Sequence, residues 1–108
     1  MKLGKLQHTN RGFERIEFKD YHGAMCSLQQ SSISGGALWL GPNKADPQVL
    51  ASQAHRFGVQ TSAMAGWVPY PVPNEVLMTT RMHLDRKQVS KLVKHLQAWL
   101  DNGSIKAA

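Results

Sequence analysis

The chain is poor in cysteine and in acidic residues. One cysteine, Cys26, stands among 108 residues, so an internal disulfide framework is excluded and a reducing, cytosolic setting fits. Acidic residues number 7 against 13 Lys and Arg, and they are dispersed, which argues against a paired-carboxylate hydrolase. No apolar run approaches the roughly 18 residues of a membrane span. The basic opening, MKLGKLQHTNRGFER, lacks the apolar middle of a secretory signal. Ser27, Ser31, Ser32 and Ser34 have no G-x-S-x-G setting, and SISGG lacks the spacing of a phosphate-cradling loop. His8, His22, His55, His83 and His95 join Cys26 in no pattern that a metal needs, with no cysteine pair and no H-x-x-x-H on a helix. Cys26 with His22 or His83 as base has no third group to orient it, and on a strand it reads as a small buried hydrophobe. The expectation is a protein without catalytic residues, metal or cofactor.

The strongest pattern present lies between Val76 and Gly103. Val76, Met78, Thr80, Met82 and Leu84 share one parity, as on one face of a strand. The period then changes: Val89, Leu92, Val93, Leu96 and Leu100 form one stripe of an amphipathic helix, with Trp99 at its edge. Asp85 can cap this helix, Gln88 can close a capping box, and Gly103 suits its left-handed end.

Upstream, Phe13–Phe18 and Ala24–Gln29 alternate as two strands around the turn Asp20-Tyr21-His22-Gly23. Ala37–Leu40 is a third strand closed by Gly41-Pro42. Asp46 as cap and Pro47 at the first helical position predict a short helix over Pro47–Arg56. Residues 58–74 contain Pro69, Pro71 and Pro73 at alternate positions and predict a long, extended loop. Residues 1–11, with Lys2, Lys5, His8 and Arg11, predict a flexible basic arm, able to lie along an acidic partner. The expected fold is α+β: a single domain over residues 12–108, with a small, mostly antiparallel sheet of three or four strands. The C-terminal helix lies on the face that carries Ile16, Phe18, Cys26, Leu28, Leu38 and Leu40.

The net charge of +6 favours acidic partners or serves solubility. Lys87, Lys91 and Lys94 recur at i, i+4 and i+7, opposite the apolar stripe, with Arg86 nearby. This is either a candidate nucleic-acid face or an ordinary solvated one. Trp67 and Tyr70, in the Pro-rich segment, are candidate partner contacts unless they fold back over the sheet edge. With Trp99 they are also a candidate oligomer patch.

Three blocks resemble a family of small proteins encoded by bacteriophages and prophages: F-x-D-x-x-G-x-x-C-S-L-Q-x-S-S from Phe18, W-L-G from Trp39, and T-R-M-H-L-x-R-x-Q-V-x-x-L from Thr80. They lie at Phe18–Ser32, Trp39–Gly41 and Thr80–Leu92, in that order, and Asn43–Thr79 lies outside them. The resemblance implies action in the bacterial cytoplasm. Ser27 and Gln29 alternate away from Leu28, and Arg81 and His83 away from Met82 and Leu84. If the two strands pair, these four would form one polar partner or ligand surface. Three binding functions remain open. The chain modulates or inhibits a host factor, such as a CRISPR effector; or it contacts nucleic acid through the basic helix; or it captures a signalling nucleotide.

Overall fold

The computed structural model describes residues 3–107. Two compact units emerge, 3–43 with 80–107, and 44–79, where the sequence led us to expect one domain over 12–108. The second unit is an insertion between two strands of the first.

In the first unit, β1 (Gln7–His8), β2 (Glu14–Lys19), β3 (Met25–Gln30), β4 (Ala37–Pro42) and β7 (Met82–Asp85) form an antiparallel sheet in the order β1-β2-β3-β4-β7. Helix α1 (Arg86–Asn102) follows β7 without a linker, which makes the unit α+β. The β2–β3 hairpin turns where Asp20 accepts the backbone N–H groups of His22 and Ala24, each at 2.9 Å, and so holds the chain reversal.

The first eleven residues are not all a free arm. Leu3 bridges Phe18, the Gly4 amide donates to the Glu17 carbonyl at 2.7 Å, and β1 pairs with β2. Lys2 lies outside the described residues. The polar stretch lacked an alternating pattern, yet β2 offered an unpaired edge, and backbone groups pair whatever the side chains are. The last strand is shorter than its parity implied. Its pairing with β4 ends at Leu40 and Met82; the next residues of β4 are Gly41, at φ 144°, and Pro42, which has no N–H to donate. Residues before Met82 therefore have no ladder to join.

Register divides the sheet into two faces. Ile16, Leu28, Leu40 and Met82 are consecutive partners on one side, beside Phe18 with Cys26 and Leu38 with Leu84. This is the expected apolar face. α1 is capped as its sequence suggested: Asp85 accepts from the Gln88 amide at 2.8 Å and the Gln88 side chain accepts from the Asp85 amide at 2.9 Å. Gly103 closes the other end in the left-handed conformation. The helix packs against the sheet through its first turns. Val89 is half-buried there, and Arg86 lies so close to Gly36 that a Cβ would meet its Nε at 3.0 Å. Leu92 is half-buried as well, whereas Val93, Leu96, Trp99 and Leu100, expected to lie across the sheet, stay exposed, and no helix residue is fully buried.

The second unit pairs β5 (Gln48–Leu50) with β6 (Trp67–Pro69) and places a 3₁₀ helix, Ala51–Phe57, between them in sequence. Its core is Ala51, Ala54 and Val68, with Val49 and Val59 against it. The helix expected over Pro47–Arg56 is thus a strand followed by a 3₁₀ segment. β-Branched Val49 is drawn into pairing with Val68, and Leu50 supplies no side-chain cap. The Pro-rich segment is not wholly a loop either. Pro69 sits at a strand edge, where its missing N–H costs no bond, and the Tyr70 amide donates to the Pro47 carbonyl at 2.9 Å.

Candidate functional site

The other face of the five-stranded sheet is polar and densely connected. One row of partners crosses all five strands: Gln7, Arg15, Gln29, Trp39 and His83. The adjacent row holds Glu17, Ser27 and Gly41, with Arg81 just before β7. Alternation along each strand puts these residues on one side. The structure therefore gathers Ser27, Gln29, Arg81 and His83, which the sequence had grouped on the condition that their strands pair. β4 lies between those strands and brings Trp39 into the group.

Arg81 is the centre. Its Nη1 donates to Ser27 Oγ at 3.2 Å and to Gln29 Oε1 at 3.1 Å, and its guanidinium lies over Trp39, 5.5 Å from the ring centroid. Arg15 donates to the same Gln29 oxygen. Two cations thus converge on one neutral carbonyl. Arg15 also meets Glu17 at 3.7 Å, the one ion pair among the described residues, and no carboxylate comes within ion-pair reach of Arg81. Burial, and after it the charge of Arg15, hold the Arg81 pKa below its ordinary value, but a guanidinium remains cationic at physiological pH. Ser27 is fully buried, so its hydroxyl fixes Arg81 from beneath.

Trp39 and His83 stack with centroids 3.8 Å apart and planes 7° from parallel. His83 Nε2 meets Ser31 Oγ at 2.8 Å, which sets the imidazole against the start of the β3–β4 turn. Gly41 allows the close approach of the next strand. At φ 144°, a Cβ there would stand 3.1 Å from the Arg81 Cα and 3.2 Å from the Thr80 carbonyl oxygen. Beside the row a cleft of about 410 Å³ opens, lined by Thr9, Asn10, Arg11, Phe13, Gln29, Gln30, Ser32 and Trp39. Arg11 lies over the Phe13 ring, 5.4 Å from its centroid, and adds a further cation to the rim.

Chemically the face offers fixed guanidinium donors, amide acceptors and stacked aromatic rings. Such groups bind planar anions by charge-assisted hydrogen bonds and stacking. No three His, Cys, Asp or Glu side chains gather as a metal would need among the described residues.

The other candidates lie elsewhere. Trp67 on β6 is exposed and Tyr70 packs edge-on against Phe57, 6.2 Å between centroids, and both belong to the second unit. Lys87, Lys91 and Lys94 are exposed on α1, while Arg86 sits at its start beside Gly36. Two central residues, Arg15 and Trp39, are not among those the sequence pointed to: Arg15 alternates away from Ile16 and Phe18, but which residues it meets follows only from the register.

Among known proteins, the chain matches no family model, no curated protein and no solved structure. No helix among the described residues is long and apolar enough to cross a membrane.

Proposed function

We propose that this chain is a non-enzymatic binding protein whose recognition centre is the polar face of the five-stranded sheet, and that its ligand is a small planar anion of the nucleotide class. The carrying observation is Arg81. It is pinned by Ser27 and Gln29, lies over Trp39 and has no carboxylate within ion-pair reach among the described residues. A phosphate would supply the missing negative charge, and a nucleobase would meet the Trp39–His83 stack. Because the donors are already oriented, little side-chain entropy remains to be lost on binding.

Capture of a signalling nucleotide is one way such a protein would disarm a bacterial defence. The phage setting and the host cytoplasm rest on the sequence resemblance alone. The test is thermal shift and calorimetry with mononucleotides, cyclic nucleotides and inorganic phosphate. At least one nucleotide should stabilise the protein more than phosphate does. Arg81→Met should weaken that binding roughly 10- to 100-fold, the value of a charge-assisted hydrogen bond. No stabilisation by any nucleotide at millimolar concentration would remove this reading.

A second reading, nucleic-acid contact through Arg86, Lys87, Lys91 and Lys94, is supported by the exposure of the three lysines on one side of α1. Its affinity for generic duplex or RNA would fall steeply with salt. A flat salt dependence would exclude it. Direct blocking of a host protein, such as a CRISPR effector, would draw on Trp67 and Tyr70 and is tested by capture from host lysate with and without nuclease.

A further inference from the structure

We propose that the chain carries a second, separate binding site, for a small monocarboxylate with a compact apolar body, in a cleft of about 410 Å³ on the apolar face of the five-stranded sheet. The cleft lies where that face meets the first turns of α1. Gln30, Leu38 and Leu84 are consecutive partners in one row across β3, β4 and β7, and all three line it. Phe13, just ahead of β2, and Val89, on α1, come from the elements at the two ends of that row. Phe13, Leu38, Leu84 and Val89 are each half-buried, so an apolar occupant would remove from water a wall that the fold leaves partly wet.

The polar groups of the cleft set the charge of that occupant. Arg86, the first residue of α1, rests its guanidinium against Gly36. At that glycine, with φ 88°, a Cβ would stand 3.0 Å from Nε and 3.4 Å from Nη2, so any larger residue would push the cation aside. No carboxylate comes within ion-pair reach of Arg86 among the described residues. Asp85 is the one acidic residue that lines the cleft, and its carboxylate is engaged as the cap of α1, accepting from the Gln88 amide. Gln30 accepts from the Glu14 amide at 2.9 Å through Oε1, which leaves its NH2 group as a donor. Ser90, about one turn along α1 from Arg86, adds a hydroxyl.

One cation among neutral donors matches one negative charge. A planar carboxylate accepts two parallel N–H groups of a guanidinium, whereas a phosphate dianion would keep uncompensated charge here, where Arg86 is the only cation in the lining. The apolar wall then selects an acid with a phenyl or branched aliphatic body over acetate, which would leave Leu38, Leu84 and Phe13 wet. Arg81 and its neighbours lie on the opposite face of the sheet, so the two sites share no side chain.

Methyl NMR of the full chain tests this, with phenylacetate and isovalerate as the probes. Both should move and saturate the methyl signals of Leu38, Leu84 and Val89, with a Kd in the millimolar range expected of so small a ligand. Phenylacetamide, with the same body and no charge, should bind at least about tenfold more weakly, and so should acetate. The Trp39 indole signal should stay in place. Arg86→Met should weaken phenylacetate binding at least about tenfold, and Arg86→Lys, which keeps the charge and loses the fork, should fall between it and the natural chain. The comparison of acid with amide uses the natural chain, so it decides even if a variant fails to fold. Methyl signals that do not move at about 20 mM acid, phenylacetamide that binds as tightly as phenylacetate, or a folded Arg86→Met variant that binds like the natural chain would each overturn the proposal. So would a Trp39 signal that follows the acid, which would assign it to the other face. None of these readouts depends on nucleotide binding, so the two proposals fail separately.

Discussion

The two faces of the five-stranded sheet are built from the same strands by different means. On the polar face Arg15, Gln29, Ser27, Arg81, Trp39 and His83 hold one another by directional contacts. On the apolar face Ile16, Leu28, Leu38, Leu40 and Leu84 remain half-buried, and Met82 is half exposed. Hydrogen bonds fix a side chain in one geometry, whereas apolar contacts reward any cover that excludes water. The polar face is therefore held in one geometry, whereas the apolar face is only half covered.

Substitutions that act on one face and spare the other would break that division. The largest loss is expected at Gly41, which pairs with Ser27 and lies against Arg81. Gly41→Val should lower the unfolding free energy by about 3 kcal/mol, because a β-branched residue is strained at that φ and its Cβ would crowd Arg81. Urea denaturation measures this, and an unchanged midpoint would refute the close approach. Next comes an adjacent pair with opposite readouts. Leu28→Ala should cost about 2 kcal/mol and leave nucleotide affinity alone. Gln29→Ala should cost about 1 kcal/mol, since both arginines lose a shared acceptor, and should weaken nucleotide binding at least tenfold. If both variants lose affinity equally, the faces are not separate.

Smaller effects follow along α1. Asp85→Ala removes one half of the capping box and should cost about 1 kcal/mol, read from the melting temperature. Lys91→Glu with Lys94→Glu should change stability by less than about 0.5 kcal/mol, because both are exposed. The same pair should abolish any nucleic-acid binding. Retained binding would place that contact elsewhere.

Local patterning made the central hairpin, the third strand and both ends of α1 legible, because each has its signal within a few residues: alternation, Asp20 in the turn, Asp85 with Gln88, and Gly103. What escaped was nonlocal. β1 pairs through its backbone and carries no side-chain pattern, and β5 finds β6 across an intervening 3₁₀ segment. The strand before α1 looked longer than it is, since parity in a sequence cannot show where a partner strand ends. The polar site was half legible. Ser27 and Gln29, like Arg81 and His83, follow from alternation, but their meeting depends on β4 lying between them. Trp39 was hidden by its neighbours: Ala37–Leu40 reads as an apolar run, and the one large ring that alternates to the polar side does not stand out.

The three tryptophans lie in three different places, and that permits the most direct test. In a nitrogen-15 spectrum, titration with a stabilising nucleotide should move and saturate the indole N–H signal of Trp39 on the polar face. The signals of Trp67 on β6 and Trp99 on α1 should stay in place. A Trp39 signal that does not move, or one that moves no more than the other two, would contradict a planar-anion site built around Arg81.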